Sequence, residues 1–182
     1  MAIILRTPPL VRQQFSMSCW TAAYTSWRAV SGSPTILHGG SGANPQTQIT
    51  NLIGMQHGSV GANGGATRDG LLTMGFAGAM VHYRFRGYHV KPFLFESKLR
   101  DFGHLYMYYI PISSTQPSGH VVVVYGINDQ NQLLIMDPDP AVPFPSIVPV
   151  SVFQTKTSVD IAHARISPRP FVDPFISLQA SR

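Results

Sequence analysis

Cysteine is almost absent from this chain: Cys19 stands alone in 182 residues. No internal disulfide can form, which excludes the disulfide-stapled scaffolds of small secreted proteins. Charge is scarce as well, at 12% of residues where roughly 25% is usual. Seven Asp and one Glu face ten Arg and three Lys, a formal net charge of +5. The cations are scattered, Arg84 and Arg86 being the nearest thing to a cluster. A nucleic-acid surface needs a denser basic stripe, so no nucleic-acid partner is expected. Long apolar runs are missing too. Leu105 to Ile110 and Val121 to Tyr125 fall far short of the roughly 20 residues of a bilayer-crossing helix, so no membrane span is expected. Ahead of Arg6 stand only Ala2-Ile3-Ile4-Leu5, too short for a secretory signal core. The expected location is the cytoplasm of the producing cell, or another cell reached by export without a cleavable signal. No internal repeat suggests a collagen or coiled-coil chain.

Hydrophobic residues, in contrast, make up 44%, enough with so little charge to argue against disorder. The length suits a single domain over 1–182 with a sizeable core. Its helical part is expected to reach about residue 80 and its sheet part to run from about 81 to 166, with an extended Pro-containing tail to 182. Pro8 and Pro9 forbid a helix in the lead-in. Ser16 and Ser18 are candidate N-caps for a helix over Cys19 to Val30, with Gly32 as its stop. Trp20, Ala23, Tyr24 and Trp27 share the i, i+3, i+4, i+7 face that should pack inward. Gln46 to Met55 and Thr67 to Met74 read as short helices within a Gly/Ser/Asn-rich stretch.

Beyond residue 80 the pattern changes. Val81 to Phe85 alternates like a strand, Lys91 to Phe102 reads weakly as a helix, and Leu105 to Ile112 is apolar and aromatic. Gly119 to Gly126 holds four consecutive valines and is apolar on both faces, the mark of a buried central strand. Asn128-Asp129-Gln130-Asn131 is a turn cluster, with Gln132 to Met136 as the returning strand. The last 45 residues hold 8 of the 15 prolines, and irregular extended wrapping is expected there. Helices first and strands afterward give an α+β order.

One constellation points to chemistry. A cysteine in the first turn of a helix lies among unpaired backbone N–H groups at the positive end of the dipole, which favours the thiolate. The polar residues before Cys19 and the apolar ones after it should expose the sulfur at a groove. A thiolate needs a proton manager, and seven histidines compete for the role. The hairpin arithmetic favours His120. A two-residue loop at Asn128-Asp129 sets His120 directly opposite Asp137, and a four-residue loop keeps both on one face at diagonal range. A three-residue loop would separate them onto opposite faces. His38, His57, His82, His89, His104 and His163 lack paired metal-ligand spacing, so no metal is expected. The glycines from Gly58 to Gly70 lack the Lys-Ser/Thr of a phosphate loop, and no cofactor is expected. Trp20, Trp27 and the run Tyr106-Met107-Tyr108-Tyr109 read as core.

The spacing of Gln13 to Cys19, the following Trp20, Gly119-His120 opening a valine strand, and Asp137-Pro138 together resemble the papain-like cysteine peptidases. The resemblance is to compact bacterial members, including avirulence-type effectors and the double-glycine leader peptidases of bacteriocin exporters. It covers roughly residues 10 to 30 and 105 to 140. It implies a papain-like α+β fold, with the cysteine helix packed on an antiparallel sheet. It also implies roles: Cys19 as nucleophile, His120 as general base, Asp137 as orienting carboxylate, and Gln13, with Gln14 as its competitor, as oxyanion donor. The sequence departs from the plant and lysosomal branch, since Phe15-Ser16-Met17-Ser18-Cys19-Trp20 lacks the extra cysteine and glycine of that signature. An aspartate also replaces the branch's usual asparagine. The implied partner is a protein or peptide substrate, with an immunity protein, chaperone or secretion machinery as further candidates for an effector or toxin. Two other readings compete: a glutamine deamidase or transamidating enzyme using the same triad, and a degenerate papain-like module that only binds peptides.

Overall fold

The computed structural model describes residues 2–31, 80–110 and 119–164. The two short helices expected at Gln46 to Met55 and Thr67 to Met74, the stop at Gly32 and the tail beyond 164 lie outside the described residues.

A short strand β1 (Ile3–Ile4) precedes helix α1 (Cys19–Ser31). Then come β2 (Met80–Phe85), a single 3-10 turn, helix α2 (Pro92–Phe102), and strands β3 (Leu105–Ile110), β4 (His120–Ile127), β5 (Gln132–Met136) and β6 (Ser146–Pro149). A short helix α3 (Val150–Gln154) leads into β7 (Ser158–Ala164). The seven strands form one antiparallel sheet in the order β2-β7-β3-β4-β5-β6, with β1 also paired to β4. This is the α+β architecture expected, with the cysteine helix lying on the sheet.

The valine run explains the layering. Val121 and Val123 join Trp20, Ala23, Tyr24 and Trp27 of α1 in one core cluster. Val122 and Val124 join Phe95 and Leu99 of α2 and Phe153 of α3 in another. Both faces of β4 are therefore covered, and a strand covered twice has no polar face to show. The aromatic stripe of α1 is fixed further by two bonds to the sheet: the Trp27 indole N–H donates to the His104 carbonyl (2.9 Å) and the Tyr106 hydroxyl to the Trp20 carbonyl (3.1 Å). Burial lowers the pKa of the His104 imidazole, against the opposing effect of its bond to the Arg6 carbonyl.

The prediction of irregular wrapping in the last 45 residues was wrong for residues 146–164. Two strands and a helix form there, and β7 lies inside the sheet between β2 and β3. Its sequence carries Asp160 and His163, which disguise a buried strand. Asp160 is neutralised by Arg84 Nε at 3.1 Å from the neighbouring strand, and His163 stacks flat on Phe102 with ring centroids 3.7 Å apart.

The β4–β5 hairpin sets the register of the site in two steps. Its turn pairs Ile127 with Leu133 and closes with an Asn128 N–H bond to the Gln132 carbonyl. That leaves a three-residue loop, with Asn131 in the left-handed region at φ 58°, a conformation asparagine tolerates well. Continued unchanged, this register would put His120 and Asp137 on opposite faces. A β-bulge intervenes at Tyr125: the pairing steps from Gly126–Leu134 to Val124–Ile135, two residues on one strand against one on the other. Parity is thereby restored, with Asp137 at diagonal range from His120. Gly126, beside the bulge, also lets β1 approach, because a Cβ there would lie 2.9 Å from the Ile3 carbonyl oxygen.

Candidate active site

Three chain segments converge at one end of the sheet. The lead-in runs over the surface to Cys19, the first residue of α1. His120 is the first residue of β4, and Asp137 directly follows β5. The α1 helix crosses β4, so the start of one element is brought to the start of the other.

His120 joins the other two. Its Nε2 lies 2.7 Å from Asp137 Oδ1, and the Cys19 side chain is near enough to act on the ring through hydrogen bonding and charge. With Nε2 committed to the carboxylate, Nδ1 is the nitrogen left to face the sulfur. Asp137 is buried at 6% exposure, and its Oδ1 accepts a second bond from the Asp139 N–H at 2.9 Å. Burial alone would lower the His120 pKa. The hydrogen bonds and charges of Asp137 and Cys19 outweigh it and push the ring up to about 10.

The expectation of an exposed sulfur needs correcting. Cys19 is only 8% exposed and belongs to the apolar cluster beneath α1. The helix begins at the cysteine itself, so the side chain is tucked under its first turn against the sheet. What distinguishes this thiol from an inert core cysteine is the imidazole in contact with it.

The fourth expected residue is placed less directly. Gln13 is half-buried in the loop ahead of α1, with its Nε2 3.4 Å from the Ser16 carbonyl and its backbone N–H bonded to the Pro138 carbonyl at 3.0 Å. Gln14 is exposed. The loop is held by Ser18. Expected as a cap, this residue turns its hydroxyl back onto the preceding loop, accepting from the Gln14 and Phe15 N–H groups at 3.2 and 2.9 Å and donating to the Phe15 carbonyl.

Two residues near the site were not anticipated. Tyr109, read as core, pairs with His120 across the ladder and meets its ring edge to face at 5.7 Å. Burial, helped by Asp137, the Cys19 sulfur and Asp139, raises the pKa of its phenol. The pairing of β3 with β4 would have revealed it, had the register been known. Arg12 holds the loop after Asp137 and is treated below. The other described histidines sit elsewhere, His104 against Arg6, His163 against Phe102 and His89 against Tyr88. Among the described residues no group of three His, Cys, Asp or Glu side chains could hold a metal ion, and no helix is long and apolar enough to cross a membrane.

A cysteine at a helix start, an imidazole on it and a buried carboxylate behind that imidazole are the parts an acyl-transfer nucleophile needs. No curated protein matches the chain. Residues 3–158 match the family described as papain-like cysteine protease AvrRpt2, a span that runs from β1 to the first residue of β7 and includes Gln13, Cys19, His120 and Asp137. The chain belongs to that family and is a papain-like cysteine protease, a hydrolase.

Proposed function

We propose that Cys19, His120 and Asp137 are the catalytic triad and that the substrate is a peptide or isopeptide bond in a protein. The observation that carries this reading is the position of His120 between a buried carboxylate at 2.7 Å and the only cysteine of the chain. The Cys19 sulfur attacks the carbonyl carbon of the scissile bond. The oxyanion that develops is met by the Cys19 backbone N–H at the helix start and by the Gln13 carboxamide, which exchanges its long bond to Ser16 for the substrate oxygen. The imidazolium gives its proton to the leaving nitrogen as the C–N bond breaks. Water then attacks the thioester, His120 takes the water's proton and is again the imidazolium, and the acid product leaves as the C–S bond breaks and frees the Cys19 sulfur. Asp137 keeps Nε2 occupied, which fixes the ring's orientation and stabilises its cationic form.

The likeness to avirulence-type proteins supports a role as a bacterial effector or toxin acting in a cell other than the one that makes it. Incubation with a host-cell proteome distinguishes the chemistries. New protein N-termini, or lysine side chains freed from isopeptide bonds, that require Cys19 support a peptidase. Release of ammonia without new termini would replace that reading with a glutamine deamidase, and neither product with retained peptide binding would leave a binding module.

A further inference from the structure

Asp137 stands where the strand pairing stops. β5 ends at Met136, and residues 137–142 form a turn whose carbonyls have no ladder partners. Such a turn has no sheet to fix it, yet it must hold a carboxylate oxygen in its place 2.7 Å from the imidazole nitrogen. Its internal bonds, Asp139 N–H to Asp137 Oδ1, Ala141 N–H to Asp139 Oδ1 and Val142 N–H to the Asp139 carbonyl, are local and tie the turn only to itself.

Arg12 supplies the external tie. Its Nη1 donates to the carbonyls of Asp137 at 3.2 Å and Val142 at 2.9 Å, and to that of Asp139 between them. The next residue adds a fourth bond, from the Gln13 N–H to the Pro138 carbonyl at 3.0 Å. Four carbonyls of one six-residue turn are thus gathered by two consecutive residues of the lead-in. All three bonds leave one guanidinium nitrogen, whose two N–H groups are shared among three carbonyls, and the charge behind them is permanent. A lysine ammonium would bring charge and N–H donors on one nitrogen, but on a stem one bond shorter, so it would reach the turn less well. The same lead-in continues into Gln13, the Ser18-held loop and Cys19, so the staple joins the segment bearing the nucleophile to the turn bearing the carboxylate.

We propose that Arg12 is a positioning residue of the active site, one that fixes the Asp137 turn against the oxyanion loop and so sets the His120–Asp137 distance. This rests on the triad reading above. Its role is to act through Asp137, whose carbonyl it holds. The groups that face the imidazole directly are Asp137, Cys19 and Tyr109.

The test follows the His120 ring by NMR titration and Cys19 by its iodoacetamide alkylation rate, in the wild-type chain, Arg12→Ala and Arg12→Lys, with melting recorded for each. The wild-type ring is expected to titrate near pH 10. In Arg12→Ala the midpoint is expected to fall towards 6.5, with alkylation at neutral pH slowed about tenfold to a hundredfold while the chain still melts cooperatively. Methylguanidinium added at non-denaturing concentration should restore part of the rate in Arg12→Ala and none in wild type. Arg12→Lys keeps the charge on a stem one bond shorter and should fall between wild type and Arg12→Ala, and it decides the matter if the alanine variant does not fold. A wild-type midpoint and rate retained in a folded variant would overturn the proposal. A wild-type ring titrating near 6.5 would instead overturn the triad reading itself, so the two failures are distinguishable.

Discussion

Replacing Asp137 probes the link on which the imidazole depends. Its side chain is only 7% exposed and lies 2.7 Å from His120 Nε2, the length of a strong charge-assisted hydrogen bond. Such bonds contribute about 1.5–3 kcal/mol net. At 1.36 kcal/mol per factor of ten, their loss from the transition state corresponds to a slowing of roughly 10- to 150-fold. Asp137→Ala removes the charge, the Nε2 partner and the Asp139 N–H partner together. Asp137→Asn keeps an oxygen able to accept both bonds and removes only the charge. The expected order of Cys19 alkylation rates at neutral pH is therefore wild type, then Asn, then Ala. The pH profile supplies the sharper reading. The wild-type ring should stay protonated up to about pH 10, so its loss of a proton limits turnover only in the alkaline range. In both variants that limb should move towards 6.5, furthest in Asp137→Ala. Superimposable profiles for wild type and Asp137→Ala would refute the reasoning, because the carboxylate would then have no hold on the ring.

Three further outcomes are expected. Gln13→Ala should lower turnover of a peptide substrate by about 2.7–4 kcal/mol of barrier, roughly a hundredfold to a thousandfold, with an unchanged melting temperature; near-normal turnover would remove Gln13 from the oxyanion site. Stability should fall as pH rises through the window set by His120: the raised folded-state value favours the protonated native chain, so this contribution is complete below about pH 6.5 and gone once the pH passes about 10. Urea midpoints across that range check it, and His120→Gln should flatten the slope. Gly119→Ala should destabilise by about 1–3 kcal/mol, because a Cβ there would lie 2.1 Å from the Tyr108 ring; a melting curve like that of wild type would show that the ring moves aside freely.

Much of this arrangement was legible before any coordinates. The apolar stripe of α1 and the twice-covered valine strand are periodicity signals, and periodicity is local. Cys19, His120 and Asp137 were reachable because a helix start and a hairpin restrict geometry over short stretches of chain. The way the hairpin met its requirement was not legible. A three-residue loop would have separated His120 from Asp137, and a bulge at Tyr125 that no residue type announces cancelled the error. The sheet was expected to reach about residue 166, but β7 was not singled out within it, for a related reason: Asp160 and His163 look like loop residues until Arg84 and Phe102 arrive from far along the chain to accompany them. Burial of the sulfur was misjudged because residues flanking Cys19 in sequence say little about the sheet that α1 lies against.

The account depends most on coupling between the sulfur and the ring. Intact-mass detection of iodoacetamide labelling at neutral pH, wild type against His120→Ala, measures that coupling without any knowledge of the substrate. Rapid single labelling at Cys19 that slows strongly in the variant is the predicted result. Equal rates in the two proteins would mean a passive core thiol, contradicting the proposed triad.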